Sequence, residues 1–370
     1  MLAASAAHRS FGLLAERKGH YICNSQEEMP ALPWQGYTPV SDDADAARFR
    51  ERGFHLEPRP LFTADALAAA VHGMDSVVRG EEDMSGIHVG PAADPNAERW
   101  RHATFRPDEL IKLENPQWVS TGIRALLAEH GGALGALAAR LTGAAWVQIW
   151  HVQLLGKPTV AGSGEGSLVG YHQDRHYHSR DWNDHSEIFT AWIALSDVTE
   201  AAGPMRFVDG SHQWGLLDAP NGNNFFGQNL EDQRRILCDA APGGAIWSET
   251  AAVLPSGGVS IHVREPATLP FYRPSALSRY HLASLTLWPP QDDFIIHASG
   301  PNHSGSLRRS LVCHMRSDKS TRRGGTGCPA ADAVDAGSPE SGVCPVIYGR
   351  EAFEAQRRSE LRQQCRSGKL

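Results

Sequence analysis

The sequence predicts a mainly β fold with flanking helices, a double-stranded β-helix of the jelly-roll, cupin-like kind. Two observations carry this expectation. From Ala145 onward, short apolar runs are separated by Gly, Pro and Asp, the texture of an all-β body. The runs WVQIWHVQLL, GYHQDRHY, FTAWIALSDV, GPMRFVDGSH, AVLPSGGVSIH, DFIIHASG and RRSLVCHMRS are together about as many strands as a jelly roll needs.

Along the chain, residues 1–41 end in the Pro-rich MPALPWQGYTPV and show no periodicity, so they read as an extension. The principal domain is expected over 42–318. It opens with helical patterning between Asp42 and Arg79, where Thr63-Ala64-Asp65 starts a helix ahead of Leu67, Val71 and Val77. A second helical region spans roughly Pro116 to Leu141. In the first strand Ile149, His151, Gln153 and Leu155 share one face and Trp150, Val152 and Leu154 the other, which puts polar His151 and Gln153 inside the barrel. A barrel strand with a polar inner row lines a site. Residues 319–370, rich in Gly, Ser, Ala, Asp and Arg with a helical stretch at Arg350 to Gln364, read as a surface-laid tail.

Composition narrows the function. The net charge of -7, with dispersed Lys and Arg, argues against nucleic acid as a partner. No apolar stretch reaches the ~18 residues of a membrane span. The six cysteines form no CxxC pair and no disulfide framework, which fits a reducing, cytoplasmic setting. The basic, Ala-rich start resembles a transit peptide, and Gly368-Lys369-Leu370 differs from the peroxisomal S-K-L by one residue. Oligomeric state is not legible.

The most informative motif is His172-Gln173-Asp174. A histidine and a carboxylate two apart on a strand point to one face and can grip one metal ion. A second histidine from a neighbouring strand would complete the two-His, one-carboxylate set that leaves positions on Fe(II) open. Among 18 histidines some pairs arise by chance, and His176, His178 and His185 compete for the role. His297, in a later strand, is placed to close the set. Arg308 lies eleven residues after it, where its fork can clamp a carboxylate. Ser299 shares a strand face with His297 and offers a hydroxyl to the same carboxylate, whereas the parity of Arg309 turns it outward.

GYHQDRHYH, TAWIALSDVTEAAGPMRFVDGSHQWG and IIHASGPNHSGSLRRSLVCH resemble the corresponding stretches of the phytanoyl-CoA dioxygenase family, from about Arg48 to Asp318. The resemblance implies an Fe(II)/2-oxoglutarate-dependent dioxygenase that hydroxylates an unactivated C–H bond of a small organic or acyl substrate and releases succinate and CO2. By this resemblance His172, Asp174 and His297 hold Fe(II). O2 is the cosubstrate, with ascorbate as an auxiliary reductant. The 2-oxoglutarate set is Lys112 from LIKLEN, Gln153, Gln173, Trp192, Ser299 and Arg308. The plainer readings are an exposed Lys112 and a Trp192 that simply fills core. Tyr177 and Trp182 are expected at the substrate entrance, and His212 and His303 in turns. Asp174 argues against halogenation, which replaces the carboxylate by a small residue. Two other classes remain open: a cupin-like Zn or Mn isomerase or hydrolase, which needs no Arg308 clamp, and a non-catalytic jelly-roll binding protein.

One segment interrupts the pattern. Residues 263–291 separate GGVSIH from DDFIIHASGPN, where a jelly roll uses a short loop. Without them the family pattern runs on continuously. We read the segment as a retained intron, since Val codons begin with GT and Gln codons can end in AG. A transcript carrying codons 263 to 291 would contradict that reading, and the segment would then be a lid-like loop. On either reading His262 and His281 are not expected as the iron ligand.

Overall fold

The computed structural model describes residues 20–21, 42–81, 83, 109–160, 167–174, 181–183, 186–217, 229–241, 247–262, 295–323 and 343–366. The expected insertion at 263–291, with His281, lies outside them. So do Tyr177, His176, His178 and His185.

Strand alternation builds the barrel. Twelve strands are described: β1 (His20–Tyr21), β2 (Phe54–Glu57), β3 (Ile111–Glu114), β4 (Val147–Lys157), β5 (Val169–His172), β6 (Ile188–Ala194), β7 (Met205–Val208), β8 (Trp247–Ala251), β9 (Val259–His262), β10 (His297–Ser299), β11 (Arg308–Ser317) and β12 (Val346–Tyr348). They form two sheets, a larger one in the order β12-β4-β11-β6-β9-β2 and a smaller one in the order β1-β8-β7-β10-β5, with β3 on β4. All pairings between these strands are antiparallel. The predicted jelly roll is the fold observed.

The outer face of the large sheet is apolar because every second residue is. Val152 and Leu154 of β4, Leu311, Cys313 and Met315 of β11, Phe189, Ala191 and Ile193 of β6 and Val259 and Ile261 of β9 bury into one cluster. Helices α2 (Ala64–Val78), α3 (Thr121–Ala128) and α4 (Gly132–Thr142) cover it. The expected start of α2 is confirmed: the Thr63 side chain accepts from the Ala66 amide at 3.3 Å, and Leu67, Ala70, Met74 and Val77 form the buried stripe. Each large side chain in such a stripe stabilises by roughly 1.5–3 kcal/mol. Gly122 permits the close α2–α3 contact, since a Cβ there would sit 2.3 Å from the Ala69 carbonyl oxygen.

The alternate residues of the same strands face inward. They are largely polar: His151 and Gln153, Thr190, Ser260 and His262, Ser310 and His314, with Trp192 and Val312 among them. Behind the small sheet, Tyr171, Val208, Trp247, Ile296 and Ala298 pack on Leu237 of α5 (Leu230–Ala240), so His172, His297 and Ser299 turn to the interior.

Some expectations need correction. A register shift where β4 passes His314 and Met315 of β11 makes Trp150 an extra residue. Ile149 and Trp150 therefore both reach the helix side, and Ile149 does not share a face with His151. AVLPSGGVSIH is not one strand, for β8 precedes it and a turn at 255–258 leads into β9 of the other sheet. Beyond Asp318, β12 pairs with β4, Val343 and Cys344 are buried, and α6 (Arg350–Arg366) sets Phe353 edge-on to Trp146 at 4.9 Å. Part of the expected tail is thus sheet edge and core. At the other end, β1 adds to β8. α1 (Asp42–Arg52) stays near the surface, tied to α4 through Arg140 and Asp45. Cys238 is disulfide-bonded, although the cysteine spacing indicated no disulfide framework.

Candidate metal and cosubstrate centre

β5 and β10 are neighbours, and their pairing sets His297 opposite His172, with ring centroids 4.2 Å apart. Asp174 follows β5 by two residues and is buried beside both rings. Its Oδ1 lies 3.4 Å from His172 Nε2 and 3.6 Å from His297 Nε2. One ligand atom from each of the three falls within 4.8 Å of the others. The Nδ1 atoms face main-chain carbonyls, Gly170 at 2.8 Å and Ile295 at 3.1 Å, so each carries the proton there and leaves an Nε2 lone pair toward Asp174. Burial, together with His172, pushes His297 down to about 3, a neutral imidazole at pH 7. Burial alone would raise the Asp174 carboxyl, but the neighbouring imidazoles, His297 first and then His172 and His262, hold it well below the usual carboxylate range. Two imidazole nitrogens and one carboxylate brought this close together are the donor set of a facial Fe(II) site.

Arg308 begins β11 and is 2% exposed. Its Nη1 donates to the Gly203 carbonyl and to Ser299 Oγ, the latter at 3.0 Å, while its Nε has no partner among the described residues. No carboxylate among the described residues pairs with it. Burial pushes the guanidinium down to about 9. Ser299 does not point a free hydroxyl at a ligand, because it donates to Gly203 O at 3.0 Å and so braces Arg308. The approach needs glycine at 203: φ is +64°, and a Cβ would sit 2.4 Å from Gly300 O. Trp192 is fully buried in the interior cluster, its ring 5.2 Å from the Arg308 guanidinium carbon, so it is both core and neighbour of the cation. Arg309 turns outward as its parity requires and bonds Asp75 of α2 at 3.0 Å.

The other expected residues divide. Gln153 is half-buried on the interior face between Glu114 and Val312. Lys112 is half exposed at the rim and pairs with Glu114 at 3.3 Å, with no contact to Arg308 among the described interactions. The expected role of Gln173 in holding the cosubstrate is not met. Its amide faces away from the centre, donating to Gly215 O at 3.0 Å and accepting from the Leu217 amide at 2.9 Å. As the middle residue of HxD, it has the parity of the opposite face. Trp182 is buried beneath Trp150 and packs in the helix-side core rather than at an entrance. His212 lies in a short 3-10 turn as expected.

Three residues at this centre were missed or passed over. Lys157, opposite Arg308 across β4–β11, is fully buried and donates to Ser299 O at 3.1 Å and Gly300 O at 2.6 Å. Burial and the Arg308 charge push its ammonium well down. Thr190 joins Asp174 Oδ2 (3.4 Å) to His314 Nδ1 (3.0 Å), and His314 stacks on His151, whose Nε2 meets Glu114 at 2.7 Å. His262 reaches within 3.6 Å of Asp174 Oδ2. The inward parity of VSIH was the available signal for it.

A jelly roll carrying a two-His, one-carboxylate set inside the barrel has the donor set of a non-heme metal centre. The profile of the phytanoyl-CoA dioxygenase (PhyH) family matches residues 49–257, more than half of the chain, and the protein belongs to that family. Its fold is shared with the epimerase SnoN, solved with Fe3+, alpha ketoglutarate and nogalamycin RO. The two are 17% identical with a TM-score of 0.53, over 83% of this chain and 99% of that one. SnoK, an alpha ketoglutarate-dependent carbocyclase from nogalamycin biosynthesis, matches with 17% identity and a TM-score of 0.51 over 84% and 100%. No curated protein sequence matches the chain.

Proposed function

We propose that the protein is an Fe(II)/2-oxoglutarate-dependent oxygenase that hydroxylates a C–H bond of a small organic substrate. Fe(II) would be held by His172, Asp174 and His297, and the distal carboxylate of 2-oxoglutarate by Arg308. The observation that carries this reading is the buried Arg308 guanidinium, with an orphaned Nε and no acid among the described residues. A buried cation without a counter-ion is costly, and a bidentate carboxylate is the group its fork fits. A cupin-like isomerase or hydrolase gives no reason for it.

Bound Fe(II) supplies the oxidation of substrate by dioxygen, coupled to decarboxylation of 2-oxoglutarate to succinate and CO2. The chain supplies geometry and charge. Asp174, Arg308, a divalent ion and a dicarboxylate sum to no net charge, which suits a dry interior. Lys157, whose charged form burial disfavours, acts by tying down the main chain after Ser299. Ser299 and Gly203 fix the Arg308 fork, and Trp192 backs it. Gln153, His151 and Glu114 line the interior on the β3–β4 side and offer hydrogen bonds to a polar ligand.

Succinate formation from 2-oxoglutarate, measured with Fe(II) in air against a panel of small organic acids and acyl thioesters, tests the reading. Turnover that Asp174→Ala abolishes is expected. Metal-loaded protein that forms no succinate under any condition overturns it.

A further inference from the structure

The carboxylate of Asp174 presents two different oxygens. Oδ1 faces the Nε2 atoms of His172 and His297, while Oδ2 faces Thr190 Oγ1 at 3.4 Å and His262 Nε2 at 3.6 Å. His262 ends β9 with its ring inward, 1% exposed, and neither ring nitrogen has a hydrogen-bond partner among the described residues. Its ring lies 4.8 Å from that of His297 and 5.2 Å from that of Phe207. An imidazole buried this deeply with both nitrogens unmet is expensive unless a nearby group completes it. Among the described residues, the carboxylate oxygen nearest to it is Asp174 Oδ2.

We propose that His262 is a positioning residue of the metal centre: it donates its Nε2 proton to Asp174 Oδ2 and so reserves Oδ1 for the metal. The inference rests on the functional reading above for the identity of the metal. The 3.6 Å gap is about 0.7–0.9 Å longer than a charge-assisted bond, and drawing Oδ1 onto a cation between the two ligand histidines would leave Oδ2 as the free acceptor toward which His262 can close. Thr190, which can donate to Oδ2, is the second restraint. With both in place the carboxylate would present Oδ1 alone to a metal held with His172 and His297, while Oδ2 stays engaged by Thr190 and His262. His262 is not itself a member of the ligand set, for among the described residues it is His172, Asp174 and His297 that bring ligand atoms mutually within 4.8 Å.

The test is anaerobic calorimetric titration of the full chain with Fe(II) alone, comparing wild type with His262→Gln, His262→Asn and His262→Phe. Gln places its amide nitrogen near the Nε2 position and Asn near Nδ1. Outer-shell partners of metal ligands are worth roughly 10–100-fold in affinity. His262→Phe is expected to weaken Fe(II) by that factor, His262→Gln to restore it to within about threefold and His262→Asn not to restore it. Should the Phe variant fail to fold, the Gln against Asn contrast carries the same information. Equal affinity in wild type and all variants overturns the role of His262 and leaves the oxygenase reading standing. Equal loss in Gln and Asn makes the ring merely structural and also overturns it. Tight Fe(II) binding that shows the Gln rescue without any succinate formation instead sinks the oxygenase reading alone, and a wild type that binds no Fe(II) sinks both.

Discussion

Arg308 and Lys157 face each other directly across the β4–β11 pair, both fully or almost fully buried, and no acid among the described residues neutralises either. Two cationic side chains side by side in a barrel wall repel each other and lose hydration, an arrangement that folding alone disfavours. They divide the work. Lys157 spends its donors on the carbonyls of Ser299 and Gly300, which hold the strand that carries His297, while Arg308 keeps an unmet Nε beside Trp192.

Replacing Lys157 by Met should act on the scaffold first. The two carbonyls lose a donor in a dry place, a cost of roughly 1–3 kcal/mol. Urea unfolding of the apoprotein should show that loss, and 2-oxoglutarate affinity should fall with it because the Ser299–Arg308 brace shifts. Unchanged stability would mean the bonds contribute nothing.

Asp174→Ala should leave the barrel folded and remove metal binding. Its carboxylate is the only charged ligand, so Fe(II) affinity should drop by more than the ~10–100-fold that outer partners cost. Calorimetry on wild type and variant decides this. Retained affinity would place the metal elsewhere.

The pH dependence follows from Arg308. Burial lowers its guanidinium to about 9, so the free protein has the cation below that pH and loses it above. Affinity for 2-oxoglutarate should therefore be level between about pH 6 and 8 and decline as pH rises through 9. For stability the sign is opposite. The unfolded chain keeps its arginine proton to higher pH, so the apoprotein should gain stability as pH rises above 9. A bound dicarboxylate should remove that gain by keeping the guanidinium charged. Binding that strengthens above pH 9 would contradict the assignment.

Much of this centre was legible because period-2 alternation is a strict geometric rule. It put His172 and Asp174 on one face, sent Arg309 outward to Asp75 and turned Arg308 in. The same rule failed at Ile149, where the bulge at Trp150 inserts a residue that no local pattern marks. It also spoke against Gln173, whose place between the two ligands fixes the opposite face; adjacency to the motif proved a poorer guide than parity. Lys157 was illegible for another reason. A lysine before a proline looks like a strand end in water, and only the pairing with Arg308 shows it to be buried. Likewise β12 is only three residues long and α6 looks polar in isolation, and their contribution depends on which strand edge was open, a property of the assembled sheet.

The central claim is that the triad and Arg308 are two ends of one 2-oxoglutarate site. The most direct measurement is the affinity for 2-oxoglutarate under anaerobic conditions, with and without Fe(II), in wild type and in Arg308→Lys. Binding should require the metal and should weaken in the variant by roughly 1.5–3 kcal/mol, the worth of a charged hydrogen bond, because lysine keeps the charge but cannot present the fork. Binding of equal strength without metal, or undiminished in Arg308→Lys, would contradict the account.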